Sequence, residues 1–260
     1  MAAGNFAGAL NLKGIRGGLE FQAPGIYPVK MITLRKSSER GHAHHGWLES
    51  WHSFSFADYY DPAHLHFGPL RVINEDIVQP GTGFDTHGHR DMEILTYVLS
   101  GTLRHRDSMG NEGDIGHGEI QLMRAGSGVL HSEINPSSGA AVHLLQIWIM
   151  PDQQGLPPGY WQKRVPFRRG QWNLLVSPSD SGDALHIHQD AQVWSALLDG
   201  AEKLEYQLAA GRRAYLHVAR GRLTANGRAL EAGDALTYAD ERMVVLSAGN
   251  NAEVLLFDMA

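Results

Sequence analysis

Short runs of apolar and β-branched residues, separated by turn-forming residues, recur along this chain from about residue 70 onward. Examples lie at 70–78, 93–99, 119–123 and 142–150. The segments between them are rich in Gly, Pro, Asn and Ser, the residues that tight turns require. Few windows carry helical periodicity, and the 30 glycines fit a chain with many turns. This pattern predicts a mostly antiparallel, all-β fold, built as a sandwich or a barrel.

An internal similarity divides this pattern into two halves. The segment 98–103 resembles 218–223, and 118–120 resembles 233–235, at spacings of about 120 and about 115 residues. A chain of 260 residues is long enough for two units of about 100–130 residues, each with its own core. The two halves are therefore predicted to be variants of one β fold.

The segment 151–170 contains four prolines and several basic residues, which makes it the natural linker between the halves. Residues 1–30 are rich in Gly and Ala but lack the basic start and compact apolar core of a signal peptide. We therefore expect a poorly ordered N-terminal extension at 1–30, a first unit at 31–160 and a second unit at 161–260.

The charge and the cysteine content exclude several classes of function. The net charge is −6, so the chain lacks the basic surface that binds phosphate backbones or anionic lipids. No apolar run approaches the ~20 residues that span a bilayer. The absence of cysteine excludes disulfides, thiolate metal sites and a cysteine nucleophile, and it agrees with a cytoplasmic protein. Direct binding of nucleic acid or membrane is thus not expected, whereas a protein partner stays open.

Two pairs of residues carry the chemistry that the sequence predicts. His87 and His89 lie two residues apart after a Gly-rich turn, and His131 and Glu133 repeat that spacing later in the chain. Side chains two apart on a strand point to the same face, so each pair can reach one point. If the two strands are neighbours and both pairs face inward, four ligands converge. Three imidazoles and one carboxylate suit Fe(II), Mn, Co, Ni, Cu or Zn, and not Ca or Mg.

The spacing around these pairs resembles the two sequence motifs of the cupin superfamily. The residues that match the first motif, with one extra residue before the last glycine, are Gly81, His87, His89, Glu93 and Gly101. The residues that match the second motif, in which glycine replaces the usual proline at position 126, are Gly128, His131 and Asn135. The resemblance implies two tandem cupin (jelly-roll) β-barrels with a few short helices.

Longer stretches resemble the pirin family of bicupins. The similar stretches are 87–101, 104–108, 125–133 and, for the bacterial pirin-like proteins, 40–62. The similarity extends over about residues 31–260 and is strongest between 50 and 150. It implies that the four residues named above hold one divalent transition metal in the first barrel, foremost Fe(II), with Cu, Ni, Co, Mn or Zn as alternatives.

Two acids compete for the carboxylate position. In many cupins the acid of the first motif, here Glu93, is a ligand, whereas the resemblance to pirins implies Glu133. Same-face geometry favours Glu133, because the chain from Gly88 to Glu93 spans a predicted bend. Glu93 is then expected to make a hydrogen bond behind the ligands or in the core, or else to be a solvated charge near a strand start.

The second barrel is predicted to lack a metal site. The internal repeat places four residues opposite the predicted ligands, namely Gln207, Ala209, Leu246 and Ala248. None of these positions keeps the ligand of the first half, so we expect a closed, structural barrel.

Other histidines and aromatic residues are expected to have structural roles. The tract 42–45 (HAHH) is local and has no carboxylate partner, which favours a polar loop. His186 and His188 have ligand-like spacing but no complementary pair, which favours a strand with exposed or hydrogen-bonded imidazoles. An aromatic cluster is expected to pack in the core and cover the barrel, with a pocket for a flat aromatic ligand as the alternative. Its members are Trp47, Trp51, Phe54 and Phe56.

A site with three nitrogens and one oxygen leaves one or two coordination positions for water, substrate or O2. The resemblance to pirins implies quercetin 2,3-dioxygenase activity, which opens the flavonol heterocycle and releases carbon monoxide. The partners are then a small planar aromatic substrate and O2. Glu133 has two expected roles, as a metal ligand and as the catalytic base for the flavonol 3-hydroxyl.

A metal-dependent regulatory module is the alternative function. Pirin relatives are also linked to protein contacts with transcription factors or metabolic enzymes, without turnover. The intact ligand set favours the enzyme, whereas the empty second barrel favours the module because it offers a docking surface. A purely structural metal is the least favoured option, since structural sites usually fill every position with protein ligands.

Overall fold

The computed structural model describes residues 32–165, 168–179 and 182–260, so the predicted extension at 1–30 lies outside the described residues. Within them, one short 3-10 helix, Ser37–Glu39, accompanies the strands, and no helix is long and apolar enough to cross a membrane. The strands in chain order are β1 Ile32–Arg35, β2 Gly41–His44, β3 Leu48–His52, β4 Leu70–Val78, β5 Gly83–His89, β6 Glu93–Ser100, β7 Thr102–Asp107, β8 Glu112–Gly116, β9 Glu119–Arg124, β10 Val129–Ile134, β11 Val142–Ile149, β12 Gly159–Arg164, β13 Trp172–Ser177, β14 Leu185–His186, β15 Ala191–Leu198, β16 Leu204–Gln207, β17 Arg213–Ala225, β18 Arg228–Glu231, β19 Ala235–Tyr238 and β20 Met243–Met259.

The strands confirm the prediction of an all-β fold with two barrels. In the first half, a four-stranded sheet in the order β5-β10-β7-β8 faces a seven-stranded sheet in the order β12-β9-β6-β11-β4-β3-β2. In the second half, a sheet runs β1-β19-β17-β20-β15-β13-β14, with β16 beside β20 and β18 beside β17. The pairings are antiparallel apart from that of β13 with β14, among the described strands. The four strands predicted at 70–78, 93–99, 119–123 and 142–150 are β4, β6, β9 and β11, with shifts of at most one residue at their ends.

Strand β6 shows how the two barrels share one core. Its residues are buried along almost the whole strand, because both faces are covered. Thr96 and Val98 point into the first barrel, whereas Leu95 and Tyr97 join a cluster that includes Tyr215 and other side chains of the second half. Since successive side chains of a strand alternate between faces, one strand serves two interiors. The barrels therefore pack sheet against sheet through buried apolar side chains.

The glycines of the internal repeat have the same structural role in both halves. Gly101 has φ +79° and Gly221 has φ +67°, a left-handed conformation that favours glycine. A Cβ at Gly101 would lie 2.8 Å from the carbonyl oxygen of Ala141, and one at Gly221 would collide with the carbonyl oxygen of Asn251. Each glycine thus lets a neighbouring strand approach closely, and the sequence repeat is a repeat of backbone geometry.

Two strands bear on the predicted division of the chain. β1 pairs with β19 of the second half, although residues 31–160 were predicted to form the first unit. β12 pairs with β9 of the first half, so the linker prediction for 151–170 is wrong for Gly159–Arg164. The prolines of that segment flank β12 and leave its own residues free to pair, which composition alone does not reveal. The boundary at residue 160 stays a prediction.

Candidate metal centre

Strands β5 and β10 are antiparallel neighbours that bring the two predicted pairs together. In their register, His131 lies opposite His87 and Val129 lies opposite His89. Burial along β10 alternates, with His131 and Glu133 each only 2% exposed. Because inward and outward positions alternate, both of these side chains face the barrel interior. The expected adjacency of the two strands is therefore present.

Three imidazoles form a compact cluster. The nearest ring nitrogens of His87, His89 and His131 all lie within 4.8 Å of one another. The Nε2 atoms of His87 and His131 are 3.0 Å apart. Two ring nitrogens at that distance are stable only with a proton or a cation between them, and metal–nitrogen bonds of about 2.0–2.1 Å fit such a gap. The donor set therefore fits a divalent transition metal.

Glu133 lies beside this cluster and is held by the opposite sheet. It forms a second close group with His131 and His105, in which the possible ligand atoms lie within 4.8 Å of one another. Gln146 Nε2 donates to Glu133 Oε2 at 2.8 Å, and Thr96 Oγ1 donates to Oε1 at 3.2 Å. Glu133 is not within the same short distance of all three imidazoles, so its direct ligation stays a prediction.

Hydrogen bonds behind the cluster orient its ring nitrogens. His87 Nδ1 lies 2.7 Å from the backbone carbonyl oxygen of Asp85, so Nδ1–H donates there and Nε2 keeps its lone pair. His131 Nδ1 lies 3.5 Å from His105 Nδ1, and His105 Nε2 lies 3.1 Å from Asp107 Oδ2. With His105 Nε2–H donating to the carboxylate, His105 Nδ1 can accept from His131 Nδ1–H. Nε2 of His131 is then directed at His87.

His105 is the residue near the cluster that sequence reasoning did not single out. It lies on β7, directly opposite Glu133 of β10, and its ring stacks on Tyr160 with centroids 4.7 Å apart. The sequence does contain a signal for His105, because His105 and Asp107 show the same two-residue spacing as the two predicted ligand pairs. That spacing alone could not indicate that β7 is the second neighbour of β10.

Burial keeps two of the three imidazoles neutral, those of His89 and His131. Desolvation, together with the neighbouring histidines, lowers the pKa of His131 to about 2, and desolvation lowers that of His89 to about 4. Both rings therefore keep a free lone pair at neutral pH, which metal binding requires. Burial also raises the pKa of Glu133, although the hydrogen bond from Gln146 opposes that effect.

A cavity of about 780 Å³ opens next to the cluster. His87, His89 and Glu133 lie on its wall, and much of the remaining lining is aromatic. Its aromatic residues include Trp47, Phe56, Phe84 and Trp148. A volume of this size and an apolar lining with a few polar groups are typical of sites that bind small molecules.

The predicted aromatic cluster divides between the cavity and the core. Trp47 and Phe56 line the cavity, so the pocket alternative holds for them. Phe54 is buried in the core shared by the barrels, as expected, with its ring 5.5 Å from that of Tyr215. Trp51 stacks on the imidazole of His42, with centroids 5.1 Å apart.

The tract 42–45 is not the predicted polar loop. Most of it lies in β2, which pairs with β3. His42 Nε2 lies 3.2 Å from Glu49 Oε1, so the prediction that the tract has no carboxylate partner is also wrong. His42 and His45 both line the cavity. Sequence spacing missed this arrangement because the acid is supplied by the partner strand.

Glu93 is a buried structural acid that belongs to neither ligand group. It is fully buried, and Arg124 Nε donates to its Oε1 at 3.0 Å. The backbone N–H of His188 donates to the same oxygen at 3.1 Å. The expected core hydrogen-bonding role is present, and the alternative of a solvated charge is wrong. His186 Nε2 lies 3.1 Å from the carbonyl oxygen of Pro178, which agrees with the prediction of a hydrogen-bonded imidazole.

The second barrel has a mainly apolar interior, which includes aromatic side chains such as Tyr238. Of the residues aligned with the ligands, Leu246 is fully buried, whereas Gln207, Ala209 and Ala248 are exposed. The alignment is therefore wrong in register for those three, and the inward residues of β16 include Tyr206 instead. A one-residue slip exchanges the faces of a strand, and short repeats cannot detect it. The described residues of this half contain no group of three side chains placed to hold a metal.

Comparisons with known proteins agree with this architecture. Residues 33–149 match the family model described as Pirin, and residues 174–259 match the model described as Quercetinase C-terminal cupin domain. A protein of Escherichia coli (strain K12) named quercetin 2,3-dioxygenase is 50% identical over 231 residues, which cover 88% of this chain and 99% of the relative. A pirin-like protein of Caulobacter vibrioides is 42% identical, covering 88% of this chain and all of the relative.

Solved structures give the same result. The crystal structure of YhhW from Escherichia coli matches with a TM-score of 0.86 at 49% identity, covering 88% of this chain and 98% of that chain. A structure described as bacterial pirin YhhW in complex with nickel(II) matches with a TM-score of 0.84 at 49% identity, covering 88% and 99%. The similarity spans both barrels.

Proposed function

This chain belongs to the pirin family, and on that premise we propose that it is a metal-dependent dioxygenase acting on a flavonol such as quercetin. The reaction is a ring-opening 2,3-dioxygenation with release of carbon monoxide. The observation that carries the proposal is a cluster of three imidazoles, two of which lie on the wall of an aromatic cavity. The name of the Escherichia coli relative supports the same substrate.

The metal is proposed to be Fe(II), with Ni, Cu, Co, Mn or Zn as alternatives. Three imidazoles and a nearby carboxylate suit any of these ions, and affinity alone does not select one. The nickel(II) complex of the similar bacterial pirin supports a divalent transition metal for this chain. Elemental analysis of protein purified without added metal tests the assignment, and stoichiometric iron is the expected result.

Different side chains of the protein hold the metal, orient the substrate and accept its proton. A bound divalent ion supplies positive charge that favours the deprotonated form of an enol hydroxyl. His87, His89 and His131 hold the ion, and the aromatic walls exclude water and orient a planar ring. Glu133 lies next to His131 with both oxygens held by hydrogen bonds, and it takes the proton of the flavonol 3-hydroxyl.

Oxygen uptake and the absorbance of quercetin test the activity. Metal-loaded protein is expected to consume one O2 for each quercetin that loses its absorbance band. His131→Ala removes a central imidazole, and we expect turnover to fall at least about 100-fold, since even residues behind metal ligands cost about 10–100-fold. His186→Ala, a histidine outside the cluster, is the matched control and leaves turnover unchanged. A stable flavonol spectrum with stoichiometric metal would contradict the proposal.

The base role of Glu133 has its own test. Glu133→Gln keeps the size of the side chain and its hydrogen-bonding partners while removing the negative charge. Metal content and turnover are measured separately on this variant. Retained metal with a large loss of turnover supports the base role, whereas retained metal with unaltered turnover removes it.

The regulatory alternative stays a prediction, and with it a protein partner. The cytoplasmic location, expected from the absence of cysteine, stays a prediction as well. The flavonol assay separates the alternatives, because a module that acts only through protein contact binds metal without consuming O2.

A further inference from the structure

A row of buried polar side chains crosses the seven-stranded sheet at one level. Thr96 on β6 lies opposite Gln146 on β11, Gln146 lies opposite Asn74 on β4, and Asn74 lies opposite His52 on β3. All four side chains are less than 10% exposed. The first two bind Glu133, so the row begins at the metal cluster and leads away from it.

The far end of this row contains two polar pairs. Ser50 Oγ donates to Asp76 Oδ1 at 2.5 Å, and His52 Nδ1 lies 2.9 Å from Asn74 Oδ1. His52 therefore carries its proton on Nδ1, and Nε2 is an acceptor. Desolvation lowers the pKa of His52, which keeps the ring neutral. Ser50, His52, Asn74 and Asp76 all line the cavity.

Burying these two polar pairs lowers the stability of the fold unless a ligand forms hydrogen bonds with them. Polar groups buried in an apolar environment destabilise a fold when they are poorly partnered. Asp76 receives a hydrogen bond from a neutral hydroxyl, and no ion pair involves it among the described residues. The buried Asp258 of the second barrel, by contrast, pairs with Arg212. An acid left without a cation in a ligand cavity is thus placed to accept a hydrogen bond from what enters.

The distance between this polar end and the metal cluster fits one planar molecule. Neighbouring strands are about 4.8 Å apart, so β3 lies about 10 Å from β11, where Gln146 contacts Glu133. Aromatic side chains, including Phe56 and Trp148, line the same cavity. A ligand with its enol at the metal can therefore lie flat against these rings, with its farthest ring at Ser50 and His52 of β3 and their partners on the intervening strand β4.

We propose that Ser50, His52, Asn74 and Asp76 form a subsite that binds the hydroxyl groups on the substrate ring farthest from the metal. This inference rests on the proposed function for the orientation of the substrate. In the subsite, Asp76 and His52 Nε2 accept from phenolic hydroxyls, and the Asn74 amide donates to them. The subsite makes the cavity selective for polyhydroxylated flavonols over the bare ring system.

Binding without turnover tests this subsite. Quercetin and 3-hydroxyflavone, which has the same enol but no other ring hydroxyls, are titrated into the protein as purified, in the absence of O2. Quenching of tryptophan fluorescence reports occupancy, because Trp47 and Trp148 line the cavity. The wild-type protein is expected to bind quercetin at least about tenfold more tightly than 3-hydroxyflavone, the effect of one or two net hydrogen bonds.

Two variants and one control identify the residues. Asp76→Leu and Asn74→Leu are each expected to weaken quercetin binding about tenfold and to change 3-hydroxyflavone binding less than twofold. Asp152→Leu, at an exposed position outside the cavity, changes neither. Equal wild-type affinity for the two flavonols, or equal weakening of both in either variant, overturns the subsite. Selective binding without O2 consumption in air supports the subsite while contradicting the proposed dioxygenase.

Discussion

The two barrels share a backbone plan but have opposite interiors. In the first, the strand pair β5–β10 places His87 opposite His131. In the second, the pair β16–β20 places Leu204 opposite Leu246 at an apolar core. A buried polar group costs free energy unless it is hydrogen-bonded, and a buried charge costs more. One barrel therefore gives up stability for a polar interior, while its neighbour provides a closed core.

The cost in the first barrel is partly offset by bonds from the facing sheet. Glu133 is held by Gln146 and Thr96, which both belong to the sheet that also packs on the second barrel. Strands β6 and β11 are therefore held on their other face by the shared apolar core. We infer that the second barrel stabilises the strands on which the polar interior of the first depends.

The largest expected effect comes from moving an acid between the two interiors. Leu246→Glu places an unpaired carboxylate in the apolar interior of the second barrel. We expect this substitution to lower the free energy of unfolding by about 3–5 kcal/mol. Glu133→Leu removes a buried acid from the first barrel and is expected to change the stability of metal-free protein by less than about 1 kcal/mol, or to raise it. Urea denaturation at pH 8 measures both.

A volume-conserving control separates charge from packing at this position. Leu246→Met is expected to cost less than about 1.5 kcal/mol, because it keeps both the volume and the apolar character of the side chain. If Leu246→Glu costs no more than Leu246→Met, the second barrel tolerates a buried charge. The contrast between the two interiors would then be lost.

The spacing of residues within one strand was enough to predict which of their side chains share a face. The pairs 87/89 and 131/133 were identified because two-residue spacing on a strand sets a common face, whatever the rest of the fold does. His105 was not singled out, because its position depends on β7 pairing with β10, which is a contact between distant parts of the chain. The exposed position of Gln207 escaped prediction because register depends on loop geometry that short repeats do not encode.

The buried acid of the cavity, Asp76, is expected to make the stability of the protein depend on pH. Burial raises the pKa of Asp76 to about 7, above its ordinary value of 3.8. Between these values the folded state binds more protons than the unfolded state, so this residue makes stability fall as pH rises from about 4 to about 7. Asp76→Asn keeps an acceptor for Ser50 and abolishes that loss, which we expect to be on the order of 2–4 kcal/mol at pH 8.

Thermal and urea denaturation at pH 5 and pH 8 measure this effect. The gain from Asp76→Asn is expected to be full at pH 8 and less than half as large at pH 5, which lies only about one unit above the ordinary value of 3.8. The matched control is Asp152→Asn, which changes an exposed acid and leaves the pH dependence unaltered. An equal gain at both pH values would show that the carboxyl titrates normally, and the first barrel would not carry the cost that distinguishes it from the second.

The smallest expected effect tests whether the two barrels unfold as one unit. The hydroxyl of Tyr97 on β6 donates to Glu253 Oε1 on β20 at 2.7 Å, and both side chains are buried. Tyr97→Phe leaves that oxygen without its donor across the interface, so we expect a loss of about 1–2 kcal/mol in a single urea transition. Tyr60→Phe, on a residue that is 73% exposed, is expected to stay within about 0.5 kcal/mol. If Tyr97→Phe instead splits the urea unfolding transition in two, the shared core does not couple the unfolding of the two barrels. The second barrel then contributes nothing to the stability of the first, whose interior is polar.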